Sequence, residues 1–388
     1  MLTSPAAGAS APVARVPAHP PDLRGRSRRH LLVLAGAVVV LALVVVASLL
    51  LGVRTIAPAD VWAAFTAPDP DDVDQAVVLG QRVPRTVLGL LAGVALGCVG
   101  TVIQGVTRNP IADPGLLGIT PGASLAVVLS VSFLGVTTPL GFVWFAFAGA
   151  ALAAVVVFSV GGAHPARLAL VGAALTAFVT PVIALVLLRD VNAFDAYRFW
   201  AVGSLTGRGM DAVTALWPFL LVGVVLAALL AHRLTLLAMG DDVAAALGQD
   251  VRVTRGLAAV AIVLLAGTAT AFAGPIALVG LAVPHAARRL VGTDYRWVMP
   301  LAAVLGPVML LGADVVGRLV VPHSELEAGV VAALLGAPVL VAVARGAVTA
   351  LWPFLLVGVV LAALLAHRLT LLAMGDDVAA ALGQDVRV

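Results

Sequence analysis

Residues 31–51 read "LLVLAGAVVVLALVVVASLLL", twenty-one positions without a charge. At about 1.5 Å of rise per residue, a helix of this length covers a hydrocarbon core of about 30 Å. A secretory leader carries a shorter apolar core, about 7–15 residues, followed by a small-residue cleavage site. The run therefore reads as a retained first transmembrane helix. Arg24, Arg26, Arg28 and Arg29 stand just before it, which places the N-terminus on the cytoplasmic side. Residues 1–22 are rich in Pro, Ala and Ser and lack apolar periodicity, so residues 1–30 are expected to form a disordered cytoplasmic tail.

The rest of the chain repeats that first pattern. Of 388 residues, 62% are hydrophobic and 11% charged, and mean hydropathy is +1.11, against about 25% charged residues in soluble proteins. Ten-residue alternating segments, the mark of a membrane barrel, are missing, so the fold class is an all-α polytopic membrane protein. Apolar runs predict ten spans, near 31–51, 86–105, 116–135, 140–160, 167–188, 213–231, 255–273, 276–291, 298–316 and 329–345. Threaded from a cytoplasmic N-terminus, they leave Arg54, Arg82, Arg85, Arg189, Arg198, Arg208 and Arg318 outside, and fourteen arginines up to Arg345 inside. That is the bias the positive-inside rule requires. The basic balance therefore reports membrane topology and lipid contact, and no nucleic-acid partner is expected.

Several function classes recede at this point. Every basic residue is arginine, so a phosphate-binding loop of the form GxxxxGK[ST] lacks its lysine, and ATP chemistry must come from another chain. Cys98 is the sole cysteine and reads as a small buried hydrophobe. An intramembrane enzyme needs a nucleophile with a base or a metal cluster; Cys98, Ser130, Ser132 and Ser159 have no such partner in sequence, and no metal site is expected. Asp314 lies near the outer end of the ninth span. An intramembrane carboxylate is a proton-coupling candidate, which keeps a proton-coupled secondary transporter as the alternative. Arg318 follows at i+4, however, the spacing of a helical ion pair.

Between the second and third spans, "QGVTRNPIADPGLLGITPGASLAVV" gathers Asn109, Pro110, Asp113, Pro114 and Gly115. Two prolines and several glycines oppose a continuous helix. Either the segment is a tight cytoplasmic turn, or it is broken backbone enclosed by protein at membrane depth. Further on, "GDDVAAALG" at 240–248 has the marks of one short helix. Gly240 permits a sharp turn, Asp241 and Asp242 suit the positive N-terminal end, Val243 to Leu247 form the body with Ala246 on an open face, and Gly248 stops it. So short a helix is marginal alone and suits a docked neighbour.

The stretch "RVPRTVLGLLAGVALGCVGTVIQGVTRNPIADPGLLGITPGAS" from Arg82 to Ser124 resembles the signature region of the FecCD family, the permease subunits of ATP-driven importers for ferric siderophores, haem and vitamin B12. "LAMGDDVAAALGQDV", "AGPIALVGLAVPHAARRLVGTDYRWVMP" and "ELEAGVVAALLGAPVLV" follow in that family's order. The resemblance implies a type II ABC importer permease over residues 31–346, located in the plasma membrane and performing no covalent chemistry. The chain would bind no cofactor, ATP and Mg²⁺ being used by two partner ATPase subunits. It further implies a second permease subunit, identical or similar, and an extracytoplasmic substrate-binding protein. On the same resemblance Gly240, Asp241, Asp242, Val243, Ala246, Leu247 and Gly248 are the segment coupled to the ATPase, and Arg82, Arg85 and Arg318 pair with carboxylates of the binding protein, a task suited to arginine's planar fork.

Residues 347–388 repeat residues 212–253 without a mismatch over 42 positions. Ancient repeats in transporters survive only as weak similarity, so identity marks a recent duplication or an assembly error, and the copy is expected to be non-functional or artefactual. Starting from Arg345 on the inner side, a second inserted span would deliver its "GDDVAAALG" to the outer face. Truncation after Gly346 should leave transport at the full-length rate, measured by uptake in cells with matched membrane abundance; a loss of uptake would give the repeat a role.

Overall fold

The computed structural model describes residues 23–69, 71–136, 138–162, 164–320, 325–342 and 345. The tail before residue 23 and the repeated segment 347–388 lie outside the described residues. The described chain is helical: α1 (Leu23–Leu50), α2 (Pro58–Thr66), α3 (Val73–Val77), a π-helical turn (Val78–Arg82), α4 (Val83–Thr107), α5 (Ile119–Leu134), α6 (Pro139–Gly161), α7 (Pro165–Arg189), α8 (Val191–Ala201), α9 (Met210–Ala238), α10 (Asp241–Ala246), α11 (Val251–Ala273), α12 (Val279–Val291) and α13 (Tyr295–Val320), then α14 (Ala328–Ala342). Seven of its helical stretches are long and apolar enough to cross a membrane.

Ten helices fall where ten spans are expected, with corrected limits. Helix α1 starts at Leu23, not near Leu31, so Arg24, Arg26, Arg28 and Arg29 ride on its first turns rather than in a tail. Helices α5 and α12 have 16 and 13 residues, short of the roughly 20 that a crossing needs. Both α5 and α12 begin from left-handed backbone, at Gly118 (φ 74°) and Leu278 (φ 67°), which ends any helical run from upstream. Conversely, the second span continues outward, and helical backbone runs unbroken over Val73–Thr107. Asp72 caps its start by accepting from the amides of Asp74 and Gln75. Pro84 lacks an amide hydrogen, and the π turn directly before it absorbs that defect.

Helix α4 is the centre of the bundle, packed along α13, α11, α9 and α12. Small residues allow backbone to meet backbone there, as between membrane helices generally. A Cβ added at Gly93 would stand 2.4 Å from Cα of Pro307, and one at Gly97 2.2 Å from the carbonyl oxygen of Ala302. The contact is reciprocal, since a Cβ on Gly306 would lie 2.0 Å from the Gly93 carbonyl oxygen. Lower on the same helix, Gly100 abuts the Gly280 carbonyl of α12 at 1.9 Å by the same measure. Helix α4 is thus interlocked with α12 and α13. Around it lies one apolar core that includes Leu88, Val99, Cys98, Ile103, Ile262, Phe272 and Leu310.

Gly97→Ala should therefore cost about 1–3 kcal/mol through overpacking, whereas Gly36→Ala, whose Cβ would meet nothing within 4 Å, should be neutral. Unfolding midpoints of both variants in one detergent check this.

Candidate functional site

Two polar clusters stand at opposite ends of α4. At its N-terminal end, Asp314 on α13 is fully buried. A carboxylate in that position is stable only with cations and donors around it. Arg85 supplies a forked contact, Nε at 3.0 and 3.1 Å from the two Asp314 oxygens and Nη2 at 2.8 Å. Its Nη1 donates to Glu325 at 2.7 Å. Arg318, one turn along α13, reaches the second Asp314 oxygen at 3.0 Å.

The same cluster closes the C-terminal end of α1. A helix leaves its last carbonyls without intrahelical partners and with partial negative charge. Arg318 donates to the carbonyl oxygens of Ser48 and Leu51, each at 3.0 Å, and to Ser48 Oγ at 3.0 Å. Arg82 donates to the carbonyls of Leu49 and Arg54, and Ser48 Oγ shares a hydrogen bond with Thr86 Oγ1 at 2.8 Å.

Arg82, Arg85 and Arg318, which the resemblance assigns to carboxylates of a binding protein, all sit within this cluster. They are 5%, 8% and 4% exposed, and their donors are engaged internally because Asp314 and the end of α1 need them. They still line a cavity of about 190 Å³, with Gln81, Arg54 and Glu325. Asp314 likewise sits in an ion-paired cluster, as its spacing to Arg318 suggests, with Arg85 as a second cation that spacing did not reveal.

At the other end, α4 stops where Arg108 takes left-handed backbone (φ 48°). The turn that follows is neither a free loop nor fully enclosed. Asn109 Oδ1 accepts from the amide of Ile111 at 3.1 Å, and Asp113 Oδ1 from that of Gly115 at 2.9 Å. Pro110 and Ile111 are exposed while Ala112, Asp113 and Pro114 are buried. Burial pushes the Asp113 carboxyl up to about 6, against the opposing effect of the Gly115 amide. Gln104 pins this turn to α12: its amide donates to the carbonyls of Ala112, Gly280 and Leu281 at 3.2–3.4 Å and its oxygen accepts from Arg288 at 2.5 Å.

Beside that turn lies the 240–248 segment, folded as its residues predict. Gly240 has φ 124°, α10 runs from Asp241 to Ala246, Leu247 follows as its C-cap, and Gly248 has φ 81°. The segment has two faces. Ala244 is buried, and Asp241 turns inward to Arg108 and to Arg255, whose Nη2 lies 3.1 and 3.0 Å from the two carboxylate oxygens. Asp242, Val243, Ala246, Leu247 and Gly248 are exposed, with Val243 and Leu247 at 43% and 60% and neighbouring Met239 at 62%. Ser48, Gln104, Arg108, Arg255, Arg288 and Glu325 are partners that the linear sequence did not single out. Arg108 was adjacent to Asn109 and Pro110 and could have been found as the one charge in the signature turn's first residues.

Two charged clusters thus stand at the two ends of one interlocked helix in a membrane-spanning bundle. Residues 40–346 match the FecCD transport family, and the chain belongs to it. The chain is 42% identical over 316 residues to the ferric enterobactin transport system permease protein FepD of Escherichia coli (strain K12), covering 80% of this chain and 94% of that one. It is 37% identical over 331 residues to the iron(3+)-hydroxamate import system permease protein FhuB of Bacillus subtilis (strain 168), covering 84% and 86%. In structure it is similar to an inward-facing metal-chelate type ABC transporter, with TM-score 0.71, 26% identity, and coverage of 81% and 98%.

Asp314→Asn keeps shape and removes the charge that balances Arg85 and Arg318. Breaking a buried pair this way costs about 3–5 kcal/mol, so the variant's unfolding midpoint in detergent should fall sharply, and an unchanged midpoint would show that the guanidiniums find other partners.

Proposed function

We propose that this chain is the membrane-spanning subunit of an ATP-driven importer that carries a ferric siderophore or a related metal chelate, such as haem or cobalamin, across the plasma membrane. The N-terminus and α10 lie on the cytoplasmic side. One observation carries the reading: α10 fixes its inner face by Asp241 and Ala244 and leaves Val243 and Leu247 exposed at the end of the bundle. An exposed apolar pair on a short helix suits the groove of a neighbouring protein. With no lysine for a phosphate loop, that neighbour supplies ATP hydrolysis. Two such ATPase subunits serve a pair of permease subunits, each receiving one coupling segment.

The relatives support the cargo, since FepD is named for ferric enterobactin and FhuB for iron(3+)-hydroxamate. A second permease subunit, identical or similar to this chain, follows from its membership in the family. At the opposite end, the guanidiniums of Arg54, Arg82, Arg85 and Arg318 line the cavity, set against the carboxylates of Glu325 and of Asp314 and Asp74 behind them. That excess of positive charge favours an acidic residue of an extracytoplasmic binding protein, which would enter by competing with Glu325 for Arg85. A proton-coupled mechanism through Asp314 is disfavoured, because Arg85 and Arg318 engage both of its carboxylate oxygens.

Val243→Glu combined with Leu247→Glu places charge on the exposed face and touches no buried partner. Co-purification with the ATPase should fall by more than about tenfold, the scale of losing a desolvated anchor, and uptake of radiolabelled ferric enterobactin, ferric hydroxamate and ferric citrate should fall with it. Normal assembly and uptake in this variant would overturn the coupling assignment.

A further inference from the structure

Asp241 and Asp242 are adjacent and chemically alike, yet they face different surroundings. Asp242 is exposed, whereas the Asp241 carboxylate is shared by Arg108 and Arg255. Arg255 belongs to the second turn of α11 and is largely buried. Arg108 is the residue directly after α4, held in left-handed backbone. The coupling helix is secured to α9 and α11 by other means as well: Gln249 donates to the Arg233 carbonyl at 3.2 Å and to Thr254 Oγ1 at 2.9 Å. Towards α4, the link is the Arg108–Asp241 pair.

We propose that Asp241 is the positioning residue that joins the coupling segment to α4, so that movement of α10 against the ATPase is passed through Arg108 to the arginine cluster at the far end of the same helix. The proposal rests on the coupling assignment of α10. Three features give it force. Helix α4 cannot slide freely, because Gly93, Gly97 and Gly100 seat its backbone directly on α13 and α12. Its two ends carry Arg85, bound to Asp314 and Glu325, and Arg108, bound to Asp241. Finally, the Arg108–Asp241 pair is partly open to water, the side chains being 33% and 42% exposed. Such a pair adds little to stability and can break and re-form within a transport cycle, whereas the Arg85–Asp314 pair cannot do so cheaply.

Linkage makes the effect reciprocal. Whatever factor binding-protein docking contributes to the state of α10, the ATPase state contributes to docking. A residue that transmits this coupling, rather than merely supporting the fold, should change both together and leave the unfolding midpoint nearly unmoved.

The test uses the complete importer, with ATPase and binding protein, in lipid vesicles. Arg108→Gln should lower the stimulation of ATP hydrolysis by the binding protein about tenfold, and should lower the effect of ATP on binding-protein affinity and the effect of the binding protein on ATP affinity by one common factor. Asp241→Arg should lose stimulation, and Arg108→Asp added to it should restore most of that loss by reversing the pair. Wild-type stimulation in Arg108→Gln, or a reversed pair no better than Asp241→Arg alone, would overturn the proposal. The Val243→Glu, Leu247→Glu variant separates the two readings. If it loses ATPase assembly while Arg108→Gln keeps full stimulation, the link to α4 fails and the coupling assignment stands. If it assembles and transports normally, the coupling assignment fails and takes this proposal with it.

Discussion

A carboxylate with no exposure to solvent, at the end of a membrane-spanning helix, sets the terms for much of this molecule. In low dielectric an unpaired ion costs several kcal/mol even after relaxation, so Asp314 must recruit cations. Arg85 and Arg318 answer from α4 and α13. Each guanidinium has donors left over, and these go to Glu325 and to the open carbonyls of α1. One buried charge thereby joins the first, fourth and thirteenth helices and the segment after the last of them. It also accounts for the gathering of these arginines: their placement follows from Asp314 and the end of α1.

Most of the helical fold could be read from hydropathy, because a crossing of about 20 apolar residues is a local property of the chain. The errors arise where local and tertiary demands differ. Helix α12 starts after Leu278, whose left-handed backbone no residue pattern announces. Helix α4 gains its outward extension from the Asp72 cap and from a π turn ahead of Pro84, although a proline near a span's end reads naturally as its boundary. Helices α2, α3 and α8 lie between the expected spans; α8 carries an Asp195–Arg198 pair at i,i+3, a feature of an amphipathic surface helix.

The coupling segment and the arginine cluster differ in the same way. The glycines and aspartates of 240–248 act within a few residues, so the bends at Gly240 and Gly248 and the short helix between them were legible. Which aspartate faces inward was not, since Arg108 lies 133 positions away. Arg85 meets Asp314 across 229 positions, and Arg318 meets Ser48 across 270. Residue type indicated that these arginines needed partners. The identity of their partners within the chain belongs to packing.

On the proposed coupling, the interlocking of α4 also makes that helix a lever. Its 25 residues span about 37 Å, with the glycine seat on α13 and α12 near the middle as fulcrum. A tilt of about 5° displaces the tips by about 1.6 Å in opposite directions, enough to carry a charged hydrogen bond from about 2.8 Å to beyond its useful range. Gearing of this kind needs no wholesale rearrangement between the two faces of the membrane. Its ratio is set by where the glycines fall along the rod, so shifting that seat by one helical turn would change how far one end travels for a given push on the other.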